Sequence, residues 1–157
     1  MVGDELWVTG ELGLAAEGLL SAAPRPEALH HLRRPCPPVA FGAALRDTGR
    51  VHAMMDLSDG LQRDLGRMCA ASGVGARVEA GALPGRAGLA EKVAFGEDYE
   101  LLFAAPPEAG ATIRALAATR GVAVTVIGRV EAVTGLRIVG APGWPAPLFH
   151  HFPVPDP

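Results

Sequence analysis

The hydrophobic and polar positions of this chain fall into two repeating patterns. Short apolar or alternating runs bounded by glycine and proline predict six strands, over residues 5–9, 51–57, 76–80, 99–104, 123–130 and 136–139. Apolar residues at helical spacing predict helices over residues 14–22, 39–45, 60–71 and 107–119, with a short helix inside 24–38 and a flexible connection over 81–88. Because strands and helices alternate irregularly, we expect an α+β fold, a mixed β-sheet flanked by α-helices.

Length and composition limit the class of protein. The chain has 157 residues, of which 49% are hydrophobic, and this predicts one domain spanning residues 1–157 with a sizeable core. No apolar run approaches the roughly 20 residues of a membrane span, and no charged-then-apolar leader follows Met1, so we expect a cytoplasmic protein. The 14 basic residues form no block and the net charge is −3, which argues against nucleic-acid binding.

A first acidic segment lies where a predicted strand meets the next helix. Asp56 ends the strand, and Ser58 and Asp59 begin the helix, an arrangement that suits Mg²⁺ held by carboxylates and a polyphosphate held by hydroxyl and amide groups. The alternative is structural, because Asp59 followed by Gln62 is a good N-cap with its capping-box partner. Capping explains Asp59 without a metal but leaves Asp56 unexplained.

Other polar residues carry weaker signals. A glycine-rich corner over residues 10–13 fits a phosphate loop, but more readily a tight turn. His30 and His31 are adjacent, so they do not share a helix face, and we expect solvated side chains and no metal pair. Cys36 and Cys69 lack CxxC spacing, which argues against a disulfide or a zinc site.

Several segments, taken in order, resemble the C-terminal part of the thiamine-monophosphate kinase family. The segments are Gly3-Asp-Glu-Leu-Trp-Val-Thr-Gly, Asp56-Leu-Ser-Asp-Gly-Leu, Ser72-Gly-Val-Gly-Ala, Gly96-Glu-Asp-Tyr-Glu-Leu-Leu-Phe and Val126-Ile-Gly-Arg-Val. That family belongs to the aminoimidazole ribonucleotide synthetase superfamily, whose members join an N-terminal ATP-binding domain to a C-terminal α/β domain and act as homodimers. The resemblance implies transfer of the γ-phosphoryl group of ATP to thiamine monophosphate, giving thiamine diphosphate, with Mg²⁺ as the cofactor.

At the first acidic segment, the resemblance implies that Asp56 and Asp59 bind Mg²⁺ and that Ser58 contacts ATP. Phosphoryl transfer needs alignment and charge neutralisation more than covalent help, so carboxylates and a hydroxyl are suitable groups. The resemblance names no catalytic residue in this part of the protein.

At the second acidic segment and at the tail, the resemblance implies a site for the acceptor. Glu97 would contact thiamine monophosphate, Asp98 would support that loop, and Phe149 would stack on the thiamine ring. A cationic thiazolium favours a carboxylate and an aromatic face. The alternatives without a ligand are a solvated turn for Glu97 and Asp98, and core packing for Phe149.

The chain also departs from the family. The N-terminal ATP-binding domain is missing, so we expect the isolated chain to be inactive; Phe95 stands where the family usually has glycine, and Pro38 where it commonly has arginine. Two other functions therefore stay open. One is another ATP-using member of the superfamily, of the hydrogenase-maturation or selenophosphate type, against which the absence of a cysteine-bearing terminal motif counts. The other is a stand-alone, non-catalytic ligand-binding relative.

Overall fold

The computed structural model describes residues 1–145, which form one mixed β-sheet with helices on both faces. The six strands of this part of the chain are β1 (Glu5–Thr9), β2 (Ala53–Asp56), β3 (Gly75–Glu79), β4 (Leu101–Ala105), β5 (Val124–Glu131) and β6 (Gly135–Val139). The helices are α1 (Leu14–Leu20), α2 (Pro26–Arg33), α3 (Val39–Asp47), α4 (Leu61–Ser72), α5 (Leu89–Ala94) and α6 (Gly110–Arg120). Two short 3₁₀ turns lie at Ala80–Ala82 and Pro107–Ala109.

The strand order is β2-β4-β1-β5-β3-β6. The pairs along this sheet are antiparallel, apart from β3 with β6, which is parallel. The expected mixed sheet is therefore confirmed. The central strands β1 and β4 are apolar on both sides, since successive side chains of a strand point to opposite faces and both faces are covered.

Two apolar clusters lie on the two faces of the sheet. Leu6 and Val8 of β1 pack into the cluster that contains the buried side chains of α4 and α5. Trp7, between them in sequence, packs into the cluster built with α3 and α6, where its ring stacks on Phe103 at a centroid distance of 6.0 Å. The period of two in β1 thus decides which helices lie on which face.

Helices α1 and α2 pack on each other beside the sheet. Buried Ala15 and Ala16 of α1 contact Phe95, and the partly buried Leu32 of α2 completes this small cluster. Phe95 is 3% exposed and is therefore part of the core.

The structure corrects several boundaries predicted from the sequence. Helix α5 was not predicted, because residues 81–98 contain four glycines and no long apolar stripe. Strand β4 begins at Leu101 and not at residue 99, since Tyr99 has a left-handed backbone. The N-cap of α4 is Gly60, with φ 98°, and no side chain caps the helix, so the alternative interpretation of Asp59 as an N-cap is wrong.

No helix among residues 1–145 is long and apolar enough to cross a membrane.

Candidate functional site

The sequence-predicted residues of both acidic segments meet at one edge of the sheet. Strand β4 runs antiparallel to β1 and to β2, so the carboxyl ends of β1 and β2 lie beside the amino end of β4. The register places Asp56 opposite Leu101 and Val8 opposite Leu102. The Asp56–Gly60 turn, the loop before β4 and the glycine corner after β1 therefore form one surface.

Backbone hydrogen bonds join the two acidic segments. The amide of Glu97 donates to the carbonyl of Ser58 at 3.0 Å, and the amide of Tyr99 donates to the carbonyl of Leu57 at 2.8 Å. The amide of Leu57 in turn donates to the carbonyl of Glu100 at 2.8 Å. Glu97 and Tyr99 have φ values of 69° and 49°, a region that costs non-glycine residues about 1–2 kcal/mol each. Such strain persists where the surrounding structure holds the loop in a required shape.

Asp98 ties the same loop to the glycine corner. Its carboxylate accepts the amide of Gly13 at 2.7 Å and that of Ala15 at 3.1 Å, at the first turn of α1. Gly13 has φ 78°, which suits glycine. In the corner for which a phosphate loop was considered, Asp98 thus binds the amide of Gly13, and the amides of Gly10 and Leu12 donate to backbone carbonyls of Ala123 and Pro84. Asp98 is 3% exposed, and its predicted part in the acceptor site, as a support of the loop, stays a prediction.

Burial raises the pKa of Asp98 to about 7, although the amide donors favour the ionised form. An unfolded Asp has a pKa of about 3.9, so between about pH 4 and 7 the folded state binds the additional proton. The contribution of Asp98 to the free energy of unfolding therefore falls as the pH rises through that window.

Asp98→Asn is expected to remove this pH dependence, because the amide does not titrate. Between pH 4 and 8 the free energy of unfolding of the wild type should fall by on the order of 2–4 kcal/mol more than that of the variant. Urea unfolding at a series of pH values measures this difference. Asp47→Asn, an exposed carboxylate on α3, is the control and should follow wild type. Parallel stability profiles for wild type and Asp98→Asn would contradict the prediction.

Asp59 lies in a charged cluster that the sequence did not indicate. Arg67 contacts the carboxylate of Asp59, and its Nη1 lies 2.9 Å from Oδ1 of Asp64. Oδ2 of Asp64 accepts the amide of Asp59 at 2.9 Å. Asp64 is fully buried, and burial raises its pKa. In the sequence, only the i, i+3 spacing of Asp64 and Arg67 could have indicated this cluster. Asp64 also lies among the apolar residues of α4 that face the core.

Asp56, Asp59 and Glu97 all lie near the phenol of Tyr99. Burial together with the charges of Glu97, Asp56 and Asp59 raises the pKa of Tyr99. Asp56 is exposed at the end of β2. The tertiary structure therefore gathers three carboxylates from two separate segments around one hydroxyl.

The described residues offer few ligands for a metal ion bound by protein groups alone. Within residues 1–145, no group of three or more His, Cys, Asp or Glu side chains is placed to hold a metal ion. Mg²⁺ commonly takes one or two carboxylates and completes its shell with water and substrate phosphates. Asp56, which is exposed, fits that mode of binding, and the Asp59 carboxylate is already in contact with Arg67.

Glu100 is a further, half-buried carboxylate at this edge. Thr9 Oγ1 donates to it and accepts the amide of Leu101 at 2.8 Å. Burial raises the pKa of Glu100, and its Oε1 lies only 2.0 Å from where a Cβ on Gly10 would stand. A side chain at Gly10 would displace the Glu100 carboxylate, and the φ of 57° at Gly10 separately favours glycine.

The histidines and the tail complete the comparison with the sequence. His30 is exposed as expected, but His31 is half-buried and burial lowers its pKa, so the expectation of a solvated side chain is wrong for His31. Cys36 and Cys69 are both free, which confirms the absence of a disulfide between them. Phe149 lies outside the described residues.

Comparison with known proteins agrees with this fold. The family described as "AIR synthase related protein, C-terminal domain" matches residues 1–141. The chain is 40% identical over 146 residues to thiamine-monophosphate kinase of Rhodopirellula baltica, covering 85% of this chain and 42% of that protein.

Solved structures give the same result. The crystal structure of thiamine-monophosphate kinase from Stenotrophomonas maltophilia has a TM-score of 0.81 and 32% identity, covering 93% of this chain and 52% of that one. The structure of AaThiL complexed with AMPPCP and TMP has a TM-score of 0.71 and 26% identity, covering 92% and 51% of the two chains. The chain thus spans about half the length of the relatives it matches.

Proposed function

Since the chain belongs to the AIR synthase related family, matching its C-terminal domain, we propose that it is the C-terminal domain of a thiamine-monophosphate kinase. The complete enzyme would transfer the γ-phosphoryl group of ATP to thiamine monophosphate and release thiamine diphosphate. Similarity to kinases of that name over 85% of the chain supports this reaction. The AMPPCP and TMP bound to AaThiL support ATP and thiamine monophosphate as the two substrates.

The observation that carries the proposal is the meeting of both acidic segments at one sheet edge. The amides of Glu97 and Tyr99 are bonded to the carbonyls of Ser58 and Leu57, so groups proposed for the donor and for the acceptor are held next to each other. Phosphoryl transfer depends mainly on such alignment and on stabilisation of charge.

Each predicted site residue keeps one proposed task. Asp56 and Asp59 hold Mg²⁺, and Ser58 contacts ATP through its hydroxyl. Bound Mg²⁺ supplies neutralisation of charge on the phosphate oxygens. Glu97 contacts the cationic ring of thiamine monophosphate, with Asp98 fixing the loop through the amides of α1.

Other parts of the proposal concern the complete protein. An N-terminal domain supplies the rest of the ATP site, and the two domains together form a cytoplasmic homodimer. The half-length coverage of the relatives supports a further domain. Phe149 is proposed to stack on the thiamine ring.

The test is a direct assay of the complete enzyme, as one polypeptide or reconstituted with its N-terminal domain. With ATP, Mg²⁺ and thiamine monophosphate, we expect thiamine diphosphate to form and to be separated chromatographically. Omission of ATP, and substitution of thiamine for its monophosphate, are the controls. ATP consumption without thiamine diphosphate would favour another acceptor, and binding without turnover would favour a non-catalytic relative.

A further inference from the structure

Asp64 is a fully buried carboxylate on the core side of α4, among residues such as Leu61 and Leu65. Taking a carboxylate out of water is costly, and an apolar residue of similar volume in its place often leaves stability unchanged or raises it. Packing of the core therefore does not account for an acid at this position. The groups that its two oxygens contact do account for it.

Both oxygens of Asp64 are connected to Asp59, a proposed metal ligand. Oδ2 of Asp64 accepts the backbone amide of Asp59 at 2.9 Å. Oδ1 lies 2.9 Å from Nη1 of Arg67, and the same nitrogen contacts the carboxylate of Asp59. Asp64 thus holds the backbone of Asp59 directly and its side chain through Arg67.

The backbone on both sides of Asp59 is fixed by other parts of the chain. Before it, the carbonyl of Ser58 accepts an amide of the second acidic segment at 3.0 Å. After it, Gly60 lies so close to Phe95 that an added Cβ would stand 2.9 Å from the carbonyl oxygen of that residue. Between these two points, the amide of Asp59 is held by Asp64. Asp64 therefore completes the support of the turn, and it does so from a helix packed in the core.

We propose that Asp64 is a positioning residue for the proposed metal site: it fixes the backbone and the side chain of Asp59, so that this carboxylate meets Mg²⁺ in one orientation. This inference rests on the proposed function. A carboxylate has about four lone pairs on its two oxygens, so the contact with Arg67 orients Asp59 and does not by itself prevent it from acting as a ligand. Asp64 acts through Asp59, because its own side chain is fully buried.

Asp64→Ala in the complete enzyme removes both acceptor oxygens. The Mg²⁺ concentration that gives half of the maximal rate is expected to rise at least about tenfold, as for loss of a group that orients a metal ligand. At saturating Mg²⁺, kcat and the KM for thiamine monophosphate should change by less than about twofold, because the bound metal keeps the same ligands.

Asp64→Asn is the conservative variant. Its side chain keeps one acceptor oxygen, which can serve either the amide of Asp59 or Arg67 but not both. The Mg²⁺ requirement of Asp64→Asn should therefore lie between those of wild type and Asp64→Ala.

Ile113→Val is the matched control for a loss of stability alone. Ile113 is buried in the apolar cluster on the other face of the sheet, where removing one methyl group destabilises the domain without touching the Asp56–Gly60 turn. Its Mg²⁺ requirement should equal that of wild type. In a double-mutant cycle, Asp64→Ala added to Asp59→Asn should have little further effect on this requirement, since the ligand that Asp64 positions is already altered.

Hydrogen exchange of the Asp59 amide tests the same contact without turnover. In wild type this amide should exchange slowly, as a hydrogen-bonded group does, and in Asp64→Ala it should exchange about tenfold faster. The measurement is made on the complete enzyme without Mg²⁺ or ATP, so it does not depend on a bound ligand.

The outcomes separate this inference from the function on which it rests. In an active enzyme, the role of Asp64 alone would be overturned by an Asp59 amide that exchanges as fast as in an unfolded chain, by a Mg²⁺ requirement that neither Asp64 variant changes, or by fully additive effects in the cycle. The exchange rate of wild type and the result for Asp64→Asn decide the matter even where Asp64→Ala does not fold. A wild type that makes no thiamine diphosphate would overturn the proposed function, and the positioning role with it, even where the Asp59 amide is protected.

Discussion

Replacing Asp56 with Asn in the complete enzyme is expected to lower kcat at least about tenfold, as loss of a ligand that helps hold a metal does. Asn keeps the shape of the side chain at the end of β2 and removes its charge. Because Asp56 is exposed, the variant should fold normally, so the loss concerns the reaction and not stability. Initial rates measured across Mg²⁺ concentrations should also show a higher requirement for the ion.

Asp47→Asn is the control for that measurement. Asp47 is an exposed carboxylate on α3 that contacts Arg46 at 2.8 Å, and nothing at the sheet edge depends on it. Its replacement should leave kcat and the Mg²⁺ requirement unchanged. Full activity of Asp56→Asn at low Mg²⁺ would remove Asp56 from the proposed metal site.

Replacing Gly128 with Ala is expected to destabilise the chain by about 3 kcal/mol, as overpacking in a core does. Gly128 lies in β5 between β1 and β3, where it pairs with Leu6 and Val78. A Cβ there would stand 2.0 Å from the carbonyl oxygen of Arg77 and 3.0 Å from Cα of Val78. Backbone atoms cannot rotate aside as a side chain does, so β3 and β5 would have to separate.

Gly66→Ala is the matched control for this effect. Gly66 lies inside α4, where the nearest atom to an added Cβ is Cδ1 of Leu136 at 3.7 Å, an ordinary contact. Alanine in a helix interior is favoured over glycine by roughly 0.5–1 kcal/mol, so this variant should be slightly more stable than wild type. Urea unfolding of the three proteins measures both effects, and equal midpoints for Gly128→Ala and wild type would refute the packing argument.

The sequence predicted elements best where the apolar pattern was long and uninterrupted. Strand β1 was predicted over its observed span, and α4 and β5 to within one residue at each end. The helix that was missed lies in a glycine-rich segment. Helix α5 has six residues and lacks a strong stripe, and its stability comes from burying Val93 and Ala94. Packing of that kind cannot be read from local spacing.

The sequence predicted the chemistry of the candidate site but missed several of its residues. The type of chemistry followed from the two acidic segments and from the resemblance they carry. Asp64, Tyr99 and Glu100 were missed because each was assigned to a helix or a strand, where its side chain had no visible partner. Their partners, such as Thr9 for Glu100, come from distant parts of the chain.

The sequence by itself determined the strands, the helices other than α5, and the mixed sheet, because these depend on local periodicity and on turn residues near in sequence. It also determined the family, through motifs whose order survives along the chain. Only the tertiary structure decided that β4 lies antiparallel between β1 and β2 and so brings both acidic segments to one edge. It also decided that Asp98 binds the amides of Gly13 and Ala15. These contacts depend on strand pairing across long separations and on two strained backbone angles, which packing of the whole domain stabilises and no local pattern encodes.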